Sequence, residues 1–264
     1  MSAPGDDEPA GDPAQGDQAA APPSGDTPST PSTPAPIAVP PRQAVAMAFG
    51  VTLATAAVVH YAFDPARAGQ GAMLSAIGAF YALLAAVALV RLHRRGELLQ
   101  RLRPMSGDVA LGALTAGVLY GAARIVLLLL AGHGSPREAW VVRLYLQIGD
   151  TETAGRWVVG GVVFAVAALE EIVWRGLVMR TLEDALGAKR ALIYAALLFA
   201  LAHLPTAYLL RDPLAGPNPL ILVAALGCSV VWGALALRTG RLVPSLLAHA
   251  LFSWSVVEFP LWRA

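Results

Sequence analysis

Val166-Ala167-Ala168-Leu169-Glu170-Glu171-Ile172-Val173-Trp174-Arg175-Gly176-Leu177-Val178 sets two adjacent acids and a guanidinium inside an otherwise apolar run. An ionisable group at bilayer depth is costly, and it is tolerated for function or in tight pairing. Whether this stretch lies in lipid depends on its surroundings. The chain has 264 residues, of which 56% are hydrophobic and only 14% charged. A soluble domain carries about 25% charged residues. The mean hydropathy is +0.57. The apolar blocks are long enough to cross a bilayer, about 20 residues each. The sequence predicts an all-α polytopic membrane protein with about seven transmembrane helices and a site in the core of the helix bundle.

The predicted spans are 43–62, 70–91, 107–132, 156–180, 191–210, 220–237 and 242–262. Residues 1–41 are different: Pro, Ala, Gly, Ser and Thr with Asp6, Asp7, Glu8, Asp12, Asp17 and Asp26, and no basic residue before Arg42. Such a segment has too little apolar surface to fold and is expected to be a disordered, solvated tail. It lacks the basic and apolar regions of a signal peptide. The transmembrane domain is expected over 42–264. Orientation follows from arginine bias. Arg91, Arg94, Arg95, Arg101 and Arg103 follow the second span, and Lys189, Arg190, Arg238 and Arg241 occupy later loops on the same side. By the positive-inside rule these face the cytoplasm. The N-terminus is then cytoplasmic and the protein a multi-pass component of the cell (inner or plasma) membrane. Residues 139–145 lie in a longer external connection and are expected to form an interfacial amphipathic helix.

A net charge of +1 without a basic face gives no grip on nucleic acid. The one cysteine, Cys228, excludes an intrachain disulfide and reads as a small buried residue. One lysine and one asparagine among abundant Arg, Ala, Gly and Pro suggest a GC-rich bacterial gene. There is no internal repeat of the kind that inverted-repeat transporters carry.

Few strongly polar groups lie deep in the spans: Arg124, Glu170, Glu171, Arg175, His203 and His249, with the Ser253 hydroxyl nearby. Arg124, near a span end, is expected to snorkel. Glu171 and Arg175 are four apart and share a helix face, so they form an expected ion pair. Glu170 points about 100° away. Phe199 with His203, and His249 with Ser253, repeat the four-residue spacing. At about 1.5 Å rise per residue, Glu170 lies roughly 14–15 Å from the cytoplasmic end of its span, His203 roughly 18 Å and His249 roughly 10 Å. Three spans of alternating direction therefore bring a carboxylate and two imidazoles to similar depth. Three chemistries fit that set. A carboxylate and an imidazole can activate water while a second imidazole and a hydroxyl hold an oxyanion. The same side chains can ligate zinc. They can also relay protons.

The residues also carry a resemblance. Glu170-Glu171-Ile172-Val173-Trp174-Arg175 is a Glu-Glu-x-x-x-Arg motif, and Phe199-Ala200-Leu201-Ala202-His203 is a Phe-x-x-x-His motif. Leu242 to Ser253 is similar to a third motif, in which His249 would be followed four positions on by Asn or Asp. Over about residues 156–255 the chain resembles the CAAX prenyl protease and bacteriocin-processing (CPBP, Abi-like) family of glutamate-type intramembrane proteases. The resemblance implies an intramembrane endopeptidase without a cofactor, acting on a membrane-anchored protein or peptide. Glu170 would activate water, His203 would assist, and His249 would help form the oxyanion hole. Glu171, Arg175, Phe199 and Ser253 would support them. Family members process prenylated C-terminal peptides, bacteriocin-related peptides or C-terminal anchors in sorting, and anchor or sorting peptides suit a bacterial host. Ser253 departs from the family's Asn or Asp, and losing an oxyanion donor costs about 10²–10³ in rate. Two further readings share these residues: a zinc-dependent membrane protease, and a non-catalytic immunity or scaffold protein that binds a peptide.

Overall fold

The structure is a computed structural model that describes residues 39–149 and 155–261. The expected tail falls almost wholly outside these. Among the described residues every regular element is helical: α1 (Pro41–Ala62), α2 (Gly71–Arg94), α3 (Leu98–Leu102), α4 (Asp108–Leu130), α5 (Glu138–Ile148), α6 (Arg156–Glu171), α7 (Arg180–Leu186), α8 (Ala188–Ala202), α9 (Leu204–Leu209), α10 (Pro219–Thr239) and α11 (Val243–Glu258). A π-helical segment, Ile172–Met179, joins α6 to α7 without a break. In lipid each backbone polar group needs a partner within its own segment, which is why apolar runs of this length become helices.

Local signals set the ends. Pro41 opens α1, where its missing N–H costs nothing. The Asn218 side chain accepts from the Leu220 amide at the start of α10, and Gly240 at φ 66° closes it. Six helical stretches among the described residues are long and apolar enough to cross a membrane. The predicted seventh span, 242–262, is the exception. Its helix is the 16-residue α11, which ends at Glu258 before Phe259 and Pro260. Proline cannot continue the helical bonding and disfavours helix at the residue before it.

The helices differ sharply in how they face their surroundings. Only 6% of the apolar window of α4 is buried, and Leu129 is 77% exposed. In α11 no residue from Val243 to Glu258 is exposed. So α4 presents apolar surface outward, as a lipid-facing helix does, while α11 is enclosed and packs against α4 and α6. Small residues permit the close approaches. A Cβ at Gly112 would come within 2.7 Å of the Leu247 side chain. One at Gly233 would meet Leu192 at 2.5 Å.

Contacts separate the two ends of the bundle. At one end Arg95 pairs with Glu97 (2.8 Å) and Asp184 (2.5 Å), and Arg180 pairs with Glu97 (3.0 Å) and Asp184 (2.5 Å). Arg241 bonds Asp108 at this end as well. Burial pushes the Glu97 carboxyl up, but its bonds to Arg180 and Arg95 outweigh this and bring it to about 2. At the other end α5 is bound to protein rather than lying free at an interface. Trp140 donates to the Gly216 carbonyl (2.9 Å), Tyr145 to Val256 (2.7 Å), and Gln147 to Ala62 (3.1 Å). Arg124, expected to snorkel, donates to the Leu261 carbonyl at 2.8 Å.

Candidate active site

Glu170 and Glu171 end α6, immediately before the π-helical segment. Such wide turns inside α-helices recur at functional sites because they redirect side chains. Here Val173 to Met179 are all buried. Arg175 thereby reaches inward, 2% exposed, and donates to Glu171 Oε1 (2.7 Å) and to the Ser229 carbonyl and hydroxyl (2.9 and 2.8 Å). The expected pair between Glu171 and Arg175 is present, and Glu171 has no exposure.

The sequence reading assigned Glu171 to Arg175 alone. The structure adds His249 from α11, whose Nδ1 lies 3.0 Å from the same Glu171 oxygen. A carboxylate offers no proton, so Nδ1–H is the donor. The other ring nitrogen, Nε2, then faces Glu170 Oε2 at 3.6 Å, too long for a hydrogen bond but close enough for ion pairing. Both glutamates therefore bear on one imidazole. Counting charges, Arg175 offsets Glu171, and one proton shared between Glu170 and His249 leaves the four groups neutral. A neutral cluster is the affordable one in low dielectric.

His203 sits in the joint between α8 and α9, at φ −91° and ψ 0°, a sparsely populated backbone region. Pro205 behind it has no N–H to bond back to Leu201, so the span breaks there. The His203 Nδ1 lies 2.8 Å from the Phe199 carbonyl, which only accepts. Nδ1 must carry the proton, and in the neutral ring Nε2 is left with a free lone pair. Glu170, His203, His249 and Ser253 line one cavity of about 320 Å³, together with the α5 residues Trp140, Leu144 and Tyr145.

Aromatic packing fixes the imidazoles. Phe199 contacts His203 (centroids 4.6 Å), Trp174 (5.2 Å) and His249 (6.2 Å). Trp232 stacks on His249 at 3.7 Å with the planes 19° apart. The Arg175 guanidinium lies 5.4 Å from the Phe199 ring and 5.6 Å from the Trp232 ring. The two rings hold the guanidinium electrostatically as well as by contact.

Trp232, Ser229 and Tyr81 were not picked out from the sequence. Tyr81 is 1% exposed and receives a bond from Trp174 Nε1 (3.3 Å) beside Glu170. A signal existed for Trp232: it lies deep in α10, whereas membrane tryptophans favour the two interfaces. Asn218, set aside as a replacement for the family's Asn, lies in the cavity wall but its side chain caps α10. Among the described residues no three His, Cys, Asp or Glu side chains are grouped to hold a metal ion.

No curated protein and no solved structure matches the chain. Residues 152–255 match the family described as Type II CAAX prenyl endopeptidase Rce1-like. The match takes in Glu170, Glu171, Arg175, Phe199, His203, Ser229, Trp232, His249 and Ser253. Over those residues the chain is similar to the CAAX prenyl protease family of membrane endopeptidases.

Proposed function

We propose that this protease cleaves a peptide bond of a membrane-anchored protein or peptide with water activated by Glu170. The observation that carries the reading is His249 held between two glutamates at the wall of the cavity that His203 also lines. Water attacks the carbonyl carbon, and its proton passes to Glu170, with His203 Nε2 as a second acceptor. The carbonyl electrons move to oxygen. His249, as an imidazolium, offers Nε2–H to that oxyanion, and the Ser253 hydroxyl offers another donor. Negative charge thus leaves Glu170 and reappears on the oxyanion, while His249 remains the counter-ion throughout. Collapse breaks the C–N bond, the proton returns to the leaving amine, and the products are an acid and an amine. Glu171 and Arg175 hold His249 and take no proton. No metal enters this scheme.

The arginine-rich end is read as cytoplasmic, with α5 external and the protein in the cell membrane. In a bacterial host, a C-terminal anchor or sorting peptide is the substrate class that fits this reading. The test uses purified protein in proteoliposomes with a quenched fluorescent peptide. Glu170→Gln and His203→Ala each lower cleavage by 10² or more. Unchanged cleavage in either removes the assignment. Loss of cleavage on chelation, restored by zinc, replaces it with the metal mechanism.

A further inference from the structure

Charge at the arginine-rich end of the bundle is sorted by depth. Among the described residues its acids are Glu97, Asp108, Glu183 and Asp184, and each is paired with Arg95, Arg101, Arg180 or Arg241. None of these side chains is more than 24% exposed. Within that network the charges of the two signs cancel. Outside it Arg42, Arg94, Arg103, Lys189, Arg190 and Arg238 are all exposed. Among the described residues no acid remains at this end to offset them. The end therefore turns a ring of bare cations outward.

One place in that ring is a formed cleft. It lies between α3 and the turn that joins α10 to α11, and its volume is about 440 Å³. Ligand sites run to about 300–1,000 Å³, so a group of headgroup size fits. Gln100, Arg103 and Arg241 stand in its wall. Arg103 is exposed and, among the described residues, paired with no acid. Arg241 bonds Asp108 through Nη2 and the Met105 sulfur through Nη1, but its Nε–H is buried and meets no acceptor. An oxyanion beside Arg103, reached by a turn of the Arg241 side chain, supplies what both guanidiniums lack.

The rim of the cleft is apolar. Leu99 is 81% exposed, Met105 54% and Val109, at the start of α4, 69%. Beyond them α4 turns its apolar face outward. A small soluble anion makes no use of such a rim, whereas acyl chains do. Cations set beside exposed apolar side chains fit the boundary between headgroups and hydrocarbon.

We propose that this cleft seats the phosphate of an anionic glycerophospholipid, with Arg103 as its principal cation and the acyl chains along the outer face of α4. The surrounding ring draws such lipids to this end, and Arg103 holds one there. The site is separate from the one that contains Glu170 and does not depend on how that one works.

The experiment titrates the full chain in detergent micelles with short-chain phosphatidylglycerol or phosphatidylcholine and counts bound lipid by native mass spectrometry. The tightest site is expected to prefer phosphatidylglycerol by about fivefold or more, and Arg103→Gln is expected to remove about fivefold, the share of one interfacial cation. Arg211→Gln, exposed at the opposite end, leaves that affinity unchanged. Equal affinity for the two lipids overturns the proposal. So does an Arg103→Gln variant, shown folded by its elution as a single species, that binds as the parent does. A Lys189→Gln, Arg190→Gln double variant that weakens binding as much as Arg103→Gln overturns the cleft and leaves only a diffuse field. Inorganic phosphate that displaces the lipid at comparable concentration overturns the lipid assignment in favour of a free anion.

Discussion

Removing the Arg175 guanidinium tests whether the buried cluster is held together by charge. Arg175→Met replaces it with an apolar chain of similar length. The lost contacts are the 2.7 Å bond to Glu171 and the two bonds to Ser229 at 2.9 and 2.8 Å. Glu171 would keep a charge at zero exposure, with only His249 beside it. Breaking a buried pair by removing one partner costs about 3–5 kcal/mol, mostly because the remaining charge is stranded. Solvent screening does not soften this, since the side chains are 2% and 0% exposed. Glu171→Gln alone strands the arginine in the same way, although the amide oxygen still accepts from His249 Nδ1. The double variant strands neither. It is expected to lose less than the sum of the two singles by at least about 2 kcal/mol. Reversible unfolding in mixed detergent micelles, followed by tryptophan fluorescence, supplies the four free energies. Additivity within about 0.5 kcal/mol refutes the charge argument.

Ser253→Ala is expected to lower kcat by about 10²–10³ with KM unchanged, the signature of a lost oxyanion donor; equal rates take Ser253 out of the site. Trp232→Phe keeps a ring against His249 and should stay within threefold of the parent kcat. Trp232→Leu removes the stacking, worth about 0.5–1.5 kcal/mol, and should fall about tenfold; equal losses would show that stacking is not what positions His249. Glu97 supplies a pH test. Its carboxyl lies at about 2 rather than the usual 4.5, so its contribution is complete above about pH 4.5 and is lost as pH falls toward 2. Glu97→Gln should cost about 1–3 kcal/mol at pH 7 and less at pH 3, after allowance for solvent. A gap that does not shrink at pH 3 contradicts the ion-pair origin.

Glu170, Glu171, Arg175, His203 and His249 were legible in the sequence because charge in an apolar run is rare, and rarity is a signal. Helical spacing paired Glu171 with Arg175, and rise per residue brought the histidines level with Glu170. The second bond on Glu171 was not legible, because α11 approaches α6 in three dimensions and no spacing encodes that. Trp232 and Tyr81 were lost among apolar neighbours, where an aromatic residue reads as ordinary packing. The last span was over-extended because Phe259 and Leu261 sustain the hydropathy past Glu258, where the approach of Pro260 ends the helix. The amphipathic stretch of α5 was visible, but its partners, Gly216, Val256 and Ala62, come from three separate regions.

The shortness of α11 bears on how its ends are held. Sixteen residues rise about 24 Å, some 6 Å less than the hydrocarbon thickness. On a lipid-facing helix that deficit would draw the bilayer inward. Because α11 is enclosed by protein, groups at its ends are met by neighbouring segments: the Leu242 amide donates to the Arg101 carbonyl, and the Val256 and Phe259 carbonyls accept from Tyr145 and Tyr120. Such groups at membrane depth are tolerated only where protein or water meets them. The helix that carries His249 is thus a short plug in a longer sleeve, with its ends tied to protein. Anchoring at both ends of so short a helix fixes the depth at which His249 stands.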